Sequence, residues 1–272
     1  MKSKVKVYSL SVLALTLLLT ILRTICLLTS YEQNVGYFRD SLIVTLTQVL
    51  YAVSALWCLS PLLFIPKNSV EGISSHHPIC LSAAFVTGLT FFVSGIVILF
   101  SNSLLMLFTG TVMSLSAFFF LSELSSTRKI AAARGWLGFF VPAALLLILF
   151  GIYFNMSVAL NSPFKIALQL SLLSGLAFML CEIRDQIGIS MPRAGLVSRL
   201  LCLLTCFPTG VSHFIFTFSG KCDVLAKTVA TPLYSIPLLT LALYAGSRLI
   251  LYRNVEENAK KVEETLDNSE EM

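Results

Sequence analysis

Eight stretches of about 20 predominantly apolar residues run through this chain, and each is long enough to cross the hydrocarbon core of a bilayer. They lie at Tyr8–Leu28, Ser41–Ile65, Pro78–Phe100, Leu104–Leu124, Trp136–Met156, Pro163–Ile183, Leu200–Phe218 and Val229–Tyr252. Lipid offers no hydrogen bonds, so a segment of this kind must satisfy its own backbone, as a helix does. The expected fold is therefore all-α: a polytopic transmembrane helix bundle of about eight spans over residues 1–252. An acidic, partly helical tail follows at 253–272. Composition excludes a soluble alternative. Only 12% of the residues are charged, against about 25% in soluble domains.

The net charge of +5 conceals an asymmetry, because seven of the fourteen acidic residues lie in the last twenty positions. The remaining body is basic, but its positive residues gather at the ends of the apolar runs, as membrane topology requires. Nucleic acid is therefore not an expected partner. Placing the N-terminus in the cytosol puts thirteen basic residues on the cytosolic side. Four, Arg39, Lys165, Lys221 and Lys227, fall opposite. Both termini are expected in the cytosol, with the chain in the cell membrane. Lys2, Lys4 and Lys6 before the first run resemble the start of a secretory leader. No small-residue cleavage site follows, and the run continues past Arg23 to Leu28, so the first helix is expected to be retained.

Seven cysteines, an odd number, fall mostly inside apolar runs. That placement fits helix packing better than a disulfide framework. Cys202, Cys206, Thr209 and His213 share one face of the seventh run, yet three ligands on one helix cannot surround an ion. His76 and His77 adjoin in a loop and make an equally poor pair. Neither a metal nor a cofactor is expected. No H-E-x-x-H, G-x-S-x-G or G-x-x-x-x-G-K-[ST] pattern occurs, so no enzyme is expected either.

Ionisable residues inside a membrane are costly and so are candidates for function. Glu123, Glu182 and Arg248 lie at the cytosolic ends of their helices, and Arg134 and Arg193 stand close by on the same side. Side chains there reach water by snorkelling. Glu123 is expected to pair with Arg128 or Arg134, and Glu182 with Arg184 or Arg193, as a structural belt in preference to a gate. Phe119, Leu121, Glu123 and Arg134 recur 59 positions later as Phe178, Leu180, Glu182 and Arg193. This is a weak sign of duplication, with coincidence the stronger competitor.

Arg23 and His213 lie deeper, each about five residues from the outer end of its run. Gln48 and Gln169 share that depth. Together the four would line a polar pocket open to the outside, with Arg23 anchoring a small solute or anion. The plainer reading has Arg23 snorkelling to Glu32 or Asp40. Pro208 and Gly210 interrupt the seventh run, and Pro232 and Pro237 the eighth. Broken helices line substrate sites in transporters. The leading functional expectation is a small-solute transporter or substrate-binding membrane component. The alternative is a membrane sensor or scaffold that meets a protein partner through its cytosolic loops and acidic tail. Membrane lipid is a partner in either case.

Overall fold

The structure is a computed structural model that describes residues 2–32, 37–64, 70–71, 77–101, 103–125, 134–156, 158–159, 162–189, 191–220, 231–250 and 253–254. It is 86% helical. Eight long helices carry the described residues: α1 (Lys2–Thr29), α2 (Leu42–Leu59), α3 (Pro78–Leu99), α4 (Leu104–Ser122), α5 (Phe140–Phe154), α6 (Pro163–Gln186), α7 (Pro192–Phe218) and α8 (Pro232–Ile250). A short helical turn, Pro61–Phe64, prolongs α2. The expected eight-helix bundle is the observed one. Seven of the helices are long and apolar enough to cross a membrane. The eighth, α8, has Pro237 in its interior and Arg248 in its last turn. Of the tail expected at 253–272, Arg253–Asn254 are described, as a short strand, and the rest lies outside the described residues.

These helices do not bury their apolar residues as a soluble core would. Leu10, Leu63, Phe100, Leu104 and Trp136 point outward and are largely exposed. Water would not tolerate an apolar surface so extensive, whereas lipid does. The protein is a multi-pass membrane protein.

Helix neighbours close a ring. α3 packs on α4, α4 on α5, α5 on α6, α6 on α7, α7 on α8, and α8 back on α3. Outside this ring, α1 leans on α7, and α2 packs against α1. α7 is thus the hub, and 61% of its most apolar window is buried, against 22% for α2. The tightest approach is between α3 and α4. A Cβ added at Gly95 would collide with Ser114 Oγ and lie 2.9 Å from the Gly110 carbonyl. Only residues without side chains allow backbones this close.

Two short strand pairs mark the two ends of the bundle. β1 (Tyr31–Glu32) pairs antiparallel with β2 (Tyr37–Phe38) beyond the C-terminus of α1. β3 (Val70–Glu71) pairs with β4 (Arg253–Asn254). The second pair puts the loop after α2 at the same end as the chain that follows α8. That end, which also holds the start of α1, is called the terminal end below.

One boundary differs with consequence. The seventh run was expected to begin at Leu200, with residues 184–199 as loop. Instead α7 begins at Pro192, a proline in the first turn, where its missing N–H costs nothing. α6 ends in a left-handed Gly188, φ 84°. The Ile189 N–H then returns to the Arg184 carbonyl at 2.9 Å, which closes the helix C-terminus. The turn between α6 and α7 is therefore short, and it carries Arg199 onto a helix face.

Candidate functional site

Two clusters of buried ionisable side chains stand at opposite ends of the bundle. At the end away from the termini, Arg23 of α1 turns inward and is only 8% exposed. Its Nε donates to Ser212 Oγ at 3.2 Å, and its Nη2 donates to the Pro163 carbonyl at 3.5 Å. Nη2 also lies 3.3 Å from His213 Nε2. Arginine can only donate, so this contact needs His213 to accept at Nε2, which assigns a neutral ring with its proton on Nδ1. Phe164 tilts against the imidazole at 4.9 Å between ring centres, and Tyr51 of α2 lies within electrostatic reach of the guanidinium. The Tyr51 hydroxyl is buried and makes no hydrogen bond of normal geometry.

The expectation that Arg23 snorkels to Glu32 or Asp40 is corrected here. Glu32 pairs instead with Arg39 at 3.4 Å. No carboxylate neutralises Arg23 among the described residues. The proposed companions divide. His213 meets Arg23, but Gln48 is exposed on the outer face of α2. Helix phase explains the difference. The preceding residue, Thr47, faces α1 and contacts Cys26 at 3.4 Å, so Gln48, about 100° further round, faces away. Gln169 is half-buried; its neighbour Leu168 holds the interior position. Ser212 is the partner that the sequence did not single out.

From Ser212 a line of hydroxyls leads along the α6–α7 contact. Ser212 Oγ donates to the Thr209 carbonyl at 3.4 Å, and Ser171 Oγ donates to Thr209 Oγ1 at 2.9 Å. Ser174 bonds Thr205, and Cys206 Sγ donates to the Ser171 carbonyl at 3.2 Å. Cys202 and Cys206 belong to this packed polar seam, with their sulfurs 3.8 Å apart. Among the described residues, no three His, Cys, Asp or Glu side chains are placed to hold a metal.

At the terminal end, four ring helices converge on a buried ionic cluster. Arg248 of α8 donates to Glu123 Oε1 at 2.5 Å and lies 3.0 Å from Glu182 Oε1. Arg199 of α7 bonds Glu182 Oε2 at 2.7 Å and Asp185 at 2.9 Å. The Tyr244 hydroxyl also donates to Glu123 Oε1, at 2.7 Å. The Arg248 guanidinium lies 5.1 Å from the Tyr244 ring centre, within range of a cation–π attraction. Phe120 and Phe178 pack against the Tyr244 ring.

The expected belt is corrected in its pairing and its depth. Glu182 binds Arg199 and Arg248 in place of Arg184 or Arg193, and Glu123 binds Arg248. Neither carboxylate snorkels, since Glu123 and Glu182 are 1% and 2% exposed. Arg134 donates to the carbonyls of Ser122 and Ser125 at 2.7 and 3.1 Å, tying α5 to the end of α4. Arg193 reaches the Leu62 carbonyl at 3.5 Å. Arg128 lies outside the described residues. Arg199 and Tyr244 are the members that sequence reading missed. Pro192 was the available signal for Arg199, because it marks where α7 starts.

Comparison with known protein families, curated proteins and solved structures found no match to this chain. The chemistry of the two clusters therefore carries the functional argument. In the terminal-end cluster each arginine faces carboxylates, Arg248 between Glu123 and Glu182 and Arg199 between Glu182 and the partly exposed Asp185. The Arg23 cluster has a buried cation and only neutral acceptors.

Proposed function

We propose that the protein binds a small organic anion at Arg23 and acts as a transport-type membrane component, not as an enzyme. The observation that carries this reading is the buried guanidinium without a carboxylate. A cation at membrane depth costs about 2.5–3.5 kcal/mol or more, and helix bundles normally offset that with a paired charge. The terminal-end cluster offsets it in this way. Arg23 is held by Ser212, His213 and the Pro163 carbonyl, with the Tyr51 hydroxyl beside it, and all of these partners are neutral. A guanidinium fits carboxylate and phosphate oxygens in a forked geometry, which sets the ligand class.

The rest of the bundle supports the same reading. The hydroxyl seam offers polar contacts between the Arg23 cluster and the bundle's middle, and the aromatic layer with the ionic cluster closes the terminal end. In the proposed arrangement Arg23 lies toward the extracellular side of the cell membrane, with both termini in the cytosol, as the basic loop residues favour. The test is binding by purified protein, read as a rise in melting temperature with a panel of small carboxylates and phosphate esters. At least one should raise the wild type in a saturable way and leave Arg23→Gln unmoved. If the whole panel acts identically on wild type and variant, the proposal is wrong.

A further inference from the structure

A cavity that does not include Arg23 opens sideways toward the terminal end. It has a volume of about 740 Å³. One wall is α1, with Leu10, Leu13 and Leu17; the other is α3 and α8, with Val86 and Leu243; Phe207 of α7 lies in its floor. Those leucines and Val86 are well exposed, so no protein segment among the described residues covers them. The cleft exists because α1 rests on α7 while α3 rests on α8, leaving α1 and α3 apart.

Its dimensions and charge identify an occupant. On α1 the lining runs from Val5 to Leu17, about 18 Å at the helical rise of 1.5 Å per residue. One leaflet is about half of a hydrocarbon core that is about 30 Å thick. The cleft therefore begins at the membrane surface and ends near the midplane, the reach of an acyl chain. At its surface mouth stands Lys6, an exposed cation on the same wall. An apolar trough one leaflet deep, with a cation at the headgroup level, complements a lipid whose headgroup is negative.

We infer that this cleft is a binding site for one anionic phospholipid, with an acyl chain laid between α1 and α3 and the phosphate beside Lys6. The proposal is independent of the Arg23 reading, because it concerns the opposite end of the bundle and a different ligand. Binding a lipid here would fill the gap that separates α1 from α3.

Native mass spectrometry of the purified, delipidated full chain tests it, with phosphatidylglycerol and phosphatidylcholine added in turn. Wild type should retain one phosphatidylglycerol more strongly than phosphatidylcholine. Lys6→Gln should weaken phosphatidylglycerol about fivefold, the equivalent of about 1 kcal/mol per basic side chain at a membrane surface, and leave phosphatidylcholine unchanged. Gly246→Leu should weaken both lipids by filling the trough. A Cβ at that position meets only Leu203 Cδ1, at an ordinary 3.5 Å, so the variant should fold. Equal retention of the two lipids by wild type, or no effect of either substitution, overturns the inference. So does a chain that binds phosphatidylglycerol only after residues 255–272 are deleted, because the tail would then be the occupant.

Discussion

Arg248 grips Glu123 across 125 positions of sequence, guanidinium nitrogen to carboxylate oxygen at 2.5 Å, in a place that neither water nor lipid reaches. Glu182 stands on the other side of the same arginine at 3.0 Å. Two carboxylates that share a cation hold three helices, α4, α6 and α8, at one point.

The two carboxylates should respond differently to amidation. Both oxygens of Glu182 face arginines, so Glu182→Gln turns an amide N–H₂ toward a donor. Breaking a buried pair in this way costs about 3–5 kcal/mol. Glu123 accepts all its bonds at Oε1, while Oε2 has no partner among the described residues. Glu123→Gln should therefore cost less, because its amide nitrogen displaces no bond. Denaturant unfolding in mixed micelles checks the ranking, and a larger loss for Glu123→Gln would contradict the geometry.

Arg23→Leu removes a charge that the membrane resists. Ser212 retains its bond to the Thr209 carbonyl, and His213 is left with Phe164 against its ring. The variant should fold, elute as a single species and melt at or above the wild-type temperature, while the response to small anions disappears. A fall in stability of more than about 2 kcal/mol, outside the range of most single substitutions in tolerant sites, would instead assign Arg23 a structural role.

Gly95 tests the α3–α4 contact. Gly95→Val puts a branched side chain where even a Cβ would lie 2.7 Å from the Ser114 backbone nitrogen. Backbone cannot yield as a side-chain tip does. Overpacking of this kind costs about 1–3 kcal/mol or more. The yield of folded protein should drop sharply, and Gly151→Ala serves as the control, because a Cβ there meets only Leu105 Cδ2 at 3.8 Å.

Orientation is open to direct measurement. Reporter fusions after Glu32, Ser101, Leu160 and Asp223 should report the extracellular side, and those after Ser69, Lys129 and Gln186 the cytosol. Reversal at two or more sites would invert the membrane placement of both clusters.

The helix count was legible because a run of about 20 apolar residues has one stable form in lipid. The meeting of Arg23 with His213 was legible from depth alone, since both lie a similar distance from the same end. Gln48 shows the limit of that reasoning. Depth says nothing about which way a side chain points around its helix, and one residue of phase sent Gln48 outward. Arg199 was lost for another reason. Apolar content begins at Leu200, so the helix turn before it, with Arg193 and Ser198, reads as loop. Pairings within the ionic cluster were not legible at all, because α8 brings Arg248 to Glu123 and Glu182 only once the ring has closed.

The resting of α1 on α7 has a consequence for how the molecule is made. Synthesis delivers Arg23 to the membrane long before Ser212 and His213 exist, with five helices still to be inserted between them. Until α7 arrives, α1 carries a cation that lipid disfavours. It also lacks the surface against which it finally packs. Early hairpins such as α3–α4 need only their own sequence neighbours, whereas α1 must wait. Assembly is therefore completed from the hub outward, and α1, made well before α7, is locked in place only after it.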